Sequence, residues 1–216
     1  MRRPLLLQGI LVVTLAGLAA ACGDDDPTGP TPGPTPTPIT ESYTGTLTVN
    51  GAVTFAPIVV NQAGSANATI KALTPSALVK VHGGGTGAFS PGETVFQGES
   101  LDAATTTGVV HSWNPATGSL HLASVAAGST FVADTPVIGV TSGANWTSAG
   151  TSGTIVGLAL GTWSGTTCTI VLANDISGIG GVVTGAVQDA GVLCARVYDV
   201  GRIEVPITFT IEVVHF

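Results

Sequence analysis

The 216 residues carry six Lys and Arg against thirteen Asp and Glu, and only 9% of them are charged. So few cations exclude the basic patches that nucleic acids and anionic lipid surfaces require. Thirty glycines, abundant Thr, Ser and Val, and a scarcity of helix-forming Glu, Lys, Gln and Met argue for an all-β protein.

Residues 1–21 begin with Arg2 and Arg3, run almost uncharged from Leu5 to Ala21, and end in small side chains. That order is the pattern of an export signal, and seventeen residues that include Gln8 and Gly9 are short for a membrane span. "LAAAC", ending at Cys22, resembles the bacterial lipobox, whose cysteine is acylated, with palmitate among the chains it carries, and becomes the first mature residue. Leu18 stands four places before the cysteine, where the usual pattern has three. The linker 22–41 follows, with six prolines between residues 27 and 38. Such a segment favours extended polyproline II and would hold a domain about 35–40 Å from the lipid. The expectation is a lipoprotein anchored to the bacterial cell envelope through Cys22, at the outer membrane, the cell surface or the periplasmic side.

Beyond residue 22 only Cys168 and Cys194 remain, and in an oxidising compartment the simplest reading of two cysteines is a disulfide. A thiolate metal site would want more cysteine or nearby histidine. Past the signal, Lys71, Lys80, Arg196 and Arg202 face all thirteen acids, a net charge of −9.

Period-two alternation places strands at about 42–49, 52–60, 65–73, 153–160, 168–173, 182–187 and 191–199. It is clearest in "PITFTIEVVHF", where Ile207, Phe209, Ile211 and Val213 share one face. Turn clusters such as "VNGA", "NDISGIGG" and "DVGR" separate the strands. Short strands at this spacing suggest a β-sandwich or jelly roll.

Three stretches resemble the pre-peptidase C-terminal-like β-sandwich module: "YTGTLTVNGAVTFAPIVVNQAGSANATIKALTPSA" (43–77), "VGLALGTWSGTTCTIVLAND" (156–175) and "AGVLCARVYDVGRIEVPITFTIEVVH" (190–215). The resemblance implies an accessory, generally non-catalytic module of secreted bacterial proteins. It divides the chain into a split sandwich, 42–78 plus 151–216, around an insert at 79–150. The insert repeats itself at an offset of 42 residues, pairing Phe89 with Phe131 and Val95 with Val137. Between these echoes, "GVVHSWNPATGSLHLASV" reads as a hairpin with its turn at Asn114–Gly118. The insert is similar to small β repeats of phage virion proteins, so a small, hairpin-rich β unit is expected.

If Trp113 pairs with Ser119, His111 and His121 face each other across that hairpin, within reach of a shared metal ion or proton. No third His or Cys ligand is evident, and plain surface residues are the simpler reading. Asn174, Asp175 and Asp199 fall in expected turns near the cysteines. Their oxygens could hold Ca²⁺, though turn chemistry explains them as well. Trp113 and Trp146 are candidates to stack on a sugar or anchor a protein partner, whereas Trp163 is expected in the core. Arg196 is expected to pair with an acid. "VHGGGTG" (81–87) contains an oxyanion-hole string of some lipases, but no G-x-S-x-G elbow accompanies it. Glu93 and Glu99 form the one nearby acid pair in the insert. The reading is a non-catalytic binding or accessory module for a glycan or protein ligand. A structural or assembly role in the envelope is the alternative, and a hydrolase ranks last.

Overall fold

The computed structural model describes residues 36–216. The expected signal segment, Cys22 and the first part of the linker lie outside them. Fourteen strands follow in chain order: β1 (Ile39–Leu47), β2 (Ala52–Val60), β3 (Gly64–Thr74), β4 (Ala77–Val81), β5 (Thr94–Gly98), β6 (Ala104–Asn114), β7 (Ser119–Val125), β8 (Pro136–Gly139), β9 (Asn145–Gly153), β10 (Val156–Trp163), β11 (Cys168–Ser177), β12 (Val182–Val187), β13 (Gly191–Tyr198) and β14 (Ile207–His215). Among the described residues there is no helix.

Eight strands make a β-sandwich. Sheet I has the order β1-β14-β3-β12 and sheet II the order β11-β10-β13-β2. Alternation along β14 shows why the layers pack: Ile207, Phe209, Ile211 and Val213 are buried, while Thr208 is exposed and Thr210 and Glu212 are half-buried. Leu158, Leu160, Ala195 and Val197 of sheet II meet them from the other side. Each large apolar side chain removed from water there stabilises the fold by about 1.5–3 kcal/mol.

The other six strands, β4 to β9, close into a barrel of order β4-β7-β6-β5-β8-β9. The small β unit expected at 79–150 is therefore a closed barrel running from Ala77 to Gly153. The 42-residue echo has a structural counterpart. Phe89 and Phe131 both fill the barrel core with Val95 and Val137, and β5 and β8, which carry the two valines, are hydrogen-bonded neighbours. The barrel is entered and left at one place, because Thr154 N donates to Ser76 O at 3.0 Å and Thr154 Oγ1 to Pro75 O at 2.8 Å.

Two local expectations differ. The loop between β6 and β7 is one residue shorter than expected, so Asn114 pairs with Ser119 and Trp113 with Leu120. An irregularity between Val110 and Ser112 then leaves His111 outside the ladder, and His121 pairs with Ser112 instead. Val110 belongs to the barrel core and Trp113 packs against it, so two residues rather than one separate these inward positions. That spacing is a β-bulge. Asn174 and Asp175 lie within β11, because the strand continues to Ser177 through a register shift opposite Val156 and Leu158.

Candidate functional site

The outward face of β10, an inner strand of sheet II, is built from small residues. Because Leu158 and Leu160 turn inward, Gly157, Ala159 and Gly161 of β10 turn outward, and Ala159 pairs with Arg196 and Ala173. Larger residues at the glycines are excluded by their neighbours: a Cβ on Gly157 would run into the Tyr198 ring, and one on Gly161 into the Thr169 carbonyl. On β13 the inward Ala195 and Val197 leave Cys194, Arg196 and Tyr198 facing outward. Cys194 pairs with Gly161 and Cys168 with Trp163, so the Cys168–Cys194 disulfide crosses β10 and ties β11 to β13.

Two shallow openings flank this band, and both are lined by Arg196. One, of about 340 Å³, has Thr54, Trp163, Thr166 and Thr167 around it. The other, of about 640 Å³, has Asn50, Ile170, Tyr198 and Asp199. Arg196 is the lining residue common to both, and the pair of openings is termed the Arg196 trough. The ion pairs of the described residues use Lys71, Lys80 and three histidines, and Arg196 takes part in none of them. Its Nε is buried without a hydrogen-bond partner. The acid partner expected for Arg196 is thus absent among the described residues. Trp163, expected in the core, is half-buried at the rim of the trough and is not among the sandwich core residues.

Asp199, Asp175 and Asn174 gather at the Tyr198 end, and each is already engaged. Asp199 Oδ1 accepts amides of Gly201 (2.7 Å), Arg202 (3.0 Å) and Ile203 (3.4 Å), and Oδ2 accepts Asn50 N at 2.8 Å. Burial alone would raise the Asp199 pKa, but these amides outweigh it and hold the carboxyl below its ordinary value. Asn174 Oδ1 accepts Ile176 N at 3.0 Å, and Asp175 accepts the Tyr198 hydroxyl. Burial and that hydrogen bond push the Tyr198 phenol up to about 12. Protein donors thus occupy both Asp199 carboxylate oxygens, one of Asp175 and the Asn174 amide oxygen. Among the described residues no group of three or more His, Cys, Asp or Glu side chains is placed to hold a metal ion.

The candidates in the barrel are structural in their surroundings. Trp113 packs edge-on to Phe89 with centroids 5.1 Å apart, and lies 5.0 Å from Trp146. Both indoles rest against the barrel core. Trp146 Nε1 donates to Gly87 O at 3.0 Å, and a Cβ on Gly85 would strike its ring, so the last glycine of the "HGGG" string makes room for an indole.

His121 is 5% exposed on the outside of the barrel, where the loop between β13 and β14 covers it. There Glu204 Oε1 accepts Lys80 Nζ at 2.6 Å, Oε2 accepts Ser119 Oγ at 2.6 Å, and His121 Nε2 lies 3.6 Å from Oε2. Lys80 Nζ also donates to Ser119 Oγ at 2.6 Å. The Ser119 hydroxyl is held as a donor to the Glu204 carboxylate. Burial lowers the His121 pKa, with Lys80 and His111 adding to the effect and Glu204 opposing it. Glu93 is held likewise: its oxygens accept the amides of Ser90, Thr141 and Ser142 and the Ser142 hydroxyl. Burial would raise its pKa, yet those donors keep it below the ordinary value.

Sequence reasoning missed the trough because it assigned Arg196 and Trp163 individually. The signal was the alternation of Arg196 and Tyr198 with the inward Ala195 and Val197, which puts a cation and a phenol on the outer side of β13. No protein-family model matches the chain, and neither a curated protein nor a solved structure shows significant similarity to it.

Proposed function

We propose that this chain is a non-catalytic binding module of the bacterial envelope, anchored by acylation of Cys22 and displaying its ligand site on sheet II. The observation that carries the reading is the Arg196 guanidinium, which lies in an open trough without an acidic partner. Charged groups inside a fold are ordinarily paired, so an unmatched one at a solvent-open trough is a place for a ligand. The resemblance of 43–77, 156–175 and 190–215 to pre-peptidase C-terminal-like modules supports the same accessory role. Against hydrolysis stand the engaged oxygens of Glu93 and the bound hydroxyl of Ser119.

One observation favours a structural or assembly role instead. Edge strand β11 and the turn after it expose Val171 (65%), Ile176 (66%) and Ile179, beside Val182 of edge strand β12. Open apolar edges are ready templates for association.

Full-length protein purified in detergent separates the two on combined glycan and peptide arrays. The binding reading expects a reproducible hit set that Arg196→Met erases. A blank array, together with concentration-dependent self-association that Val171→Lys abolishes, establishes the assembly role. Fatty-acid labelling checks the anchor: Cys22→Ser should lose the label and move to the soluble fraction, and unchanged labelling removes the anchor from the reading.

A further inference from the structure

We propose that the trough on sheet II takes an acidic saccharide, its carboxylate held by Arg196 and a sugar ring stacked on Trp163. The inference rests on the binding-module reading and adds the ligand class. Arg196 offers a planar fork of N–H donors, and Nε, on one side of that fork, is buried and unpartnered. A carboxylate is the group that such a fork matches, with two parallel charge-assisted hydrogen bonds.

The surroundings decide which end of the trough the anion enters. At the Tyr198 end stand the carboxyls of Asp199 and Asp175, which repel a second anion. At the other end Arg196 is flanked by Thr54, Thr166, Thr167 and Trp163, with no acid among the lining residues. The net charge of −7 opposes any anion at long range, so recognition has to be local, within reach of the guanidinium.

Saccharide rather than peptide follows from the strands that carry the contact residues. The row Thr54–Arg196–Ala159–Ala173 crosses strands β2, β13, β10 and β11 on the sheet face, and the backbone groups of the inner strands β13 and β10 are consumed by the ladders. An extended peptide adds to a free strand edge, whereas Arg196 and Trp163 stand on the inner strands β13 and β10 and not on the edge strand β2. Threonine hydroxyls and a half-buried indole suit a polyhydroxylated ring, whose apolar face stacks on the aromatic plane.

The test titrates the full-length protein in detergent with oligosaccharides carrying glucuronate, galacturonate, mannuronate or sialate, each beside its methyl ester, and with a poly-glutamate peptide. At least one acid should bind, its ester about tenfold or more weakly. Arg196→Met should lose the acid by a similar factor while keeping its disulfide and melting temperature, and Arg196→Lys should recover part of it. Trp163→Ala should weaken acid and ester alike. Equal binding of acid and ester, or undiminished binding by Arg196→Met, overturns the inference but leaves a binding module for neutral glycans. Competition by poly-glutamate at equal affinity overturns it in favour of an acidic peptide. If no acidic sugar binds, the inference falls. The binding-module reading falls with it only if the arrays are blank as well.

Discussion

Ser119 Oγ donates to Glu204 Oε2 at 2.6 Å, and the two residues belong to different layers, barrel strand β7 and the loop between β13 and β14 of the sandwich. Lys80 of β4 donates to the other oxygen of the same carboxylate. One side chain therefore fastens the barrel to the sandwich.

Glu204→Gln is expected to destabilise the protein by about 1–2 kcal/mol at pH 7, since a part-exposed ion pair is worth little and the hydrogen bond to Ser119 supplies the rest. The Lys80 and Ser119 hydrogen bonds hold the Glu204 carboxyl below its ordinary value of 4.5. Its contribution is complete above that value and is lost as pH falls through the lower, folded one. Urea titrations from pH 7 down to pH 3 check this: the variant and the parent should differ at pH 7, and the gap should narrow as pH falls below 4.5.

His121 titrates in a separate window. Burial lowers its pKa from the ordinary 6.5, so the unfolded chain takes up its proton before the folded one does. Stability from this group is whole above pH 6.5 and declines as pH drops toward the folded value. His121→Gln should flatten the change in unfolding free energy between pH 7 and pH 5. An unaltered slope would assign that region to other groups.

Removing the disulfide by Cys168→Ala with Cys194→Ala should cost about 3 kcal/mol, the chain-entropy figure for a loop of 26 residues. In a domain of this size that is roughly 6–12 °C in melting temperature. Because Cys168 lines the Arg196 trough beside Trp163, ligand binding should weaken as well. Thermal scans with and without reductant would show the first effect, and titration of the double variant the second.

Excising the barrel should leave a folded sandwich. The buried core of the two sheets draws no residue from 77–153, and Ser76 and Thr154 are already hydrogen-bonded to each other. Replacing residues 76–154 with a Gly-Ser pair should yield an oxidised β-protein, less stable by the lost Glu204 contacts, that still binds through sheet II. Circular dichroism reading as unfolded would make the barrel part of the folding core. A folded but non-binding product would move the ligand site into the barrel.

Much of the sandwich was legible because alternation is local. Ile207, Phe209, Ile211 and Val213 announce both their strand and their face within seven residues, and all four are buried. The Cys168–Cys194 bridge was legible from compartment and count. The facing of His111 and His121 was not, because it depends on a one-residue bulge and a shortened turn that composition does not encode. A lone Arg196 on a strand predicts a salt bridge, and among the described residues no acid pairs with it. Glu204 carried no local signal at all: its partners Lys80 and Ser119 lie 124 and 85 residues away in sequence. Such contacts exist only once the topology has formed.

The hydrogen bond between Ser76 and Thr154 has a consequence for transplantation. A unit whose two chain ends meet needs from its host only a pair of neighbouring backbone positions, and it imposes no stretch on the loop that receives it. The closed ring of β4 to β9 also brings no unpaired edge with it. Residues 76–154 are therefore a graftable cassette, and a hairpin turn on an unrelated β-protein is a sufficient socket.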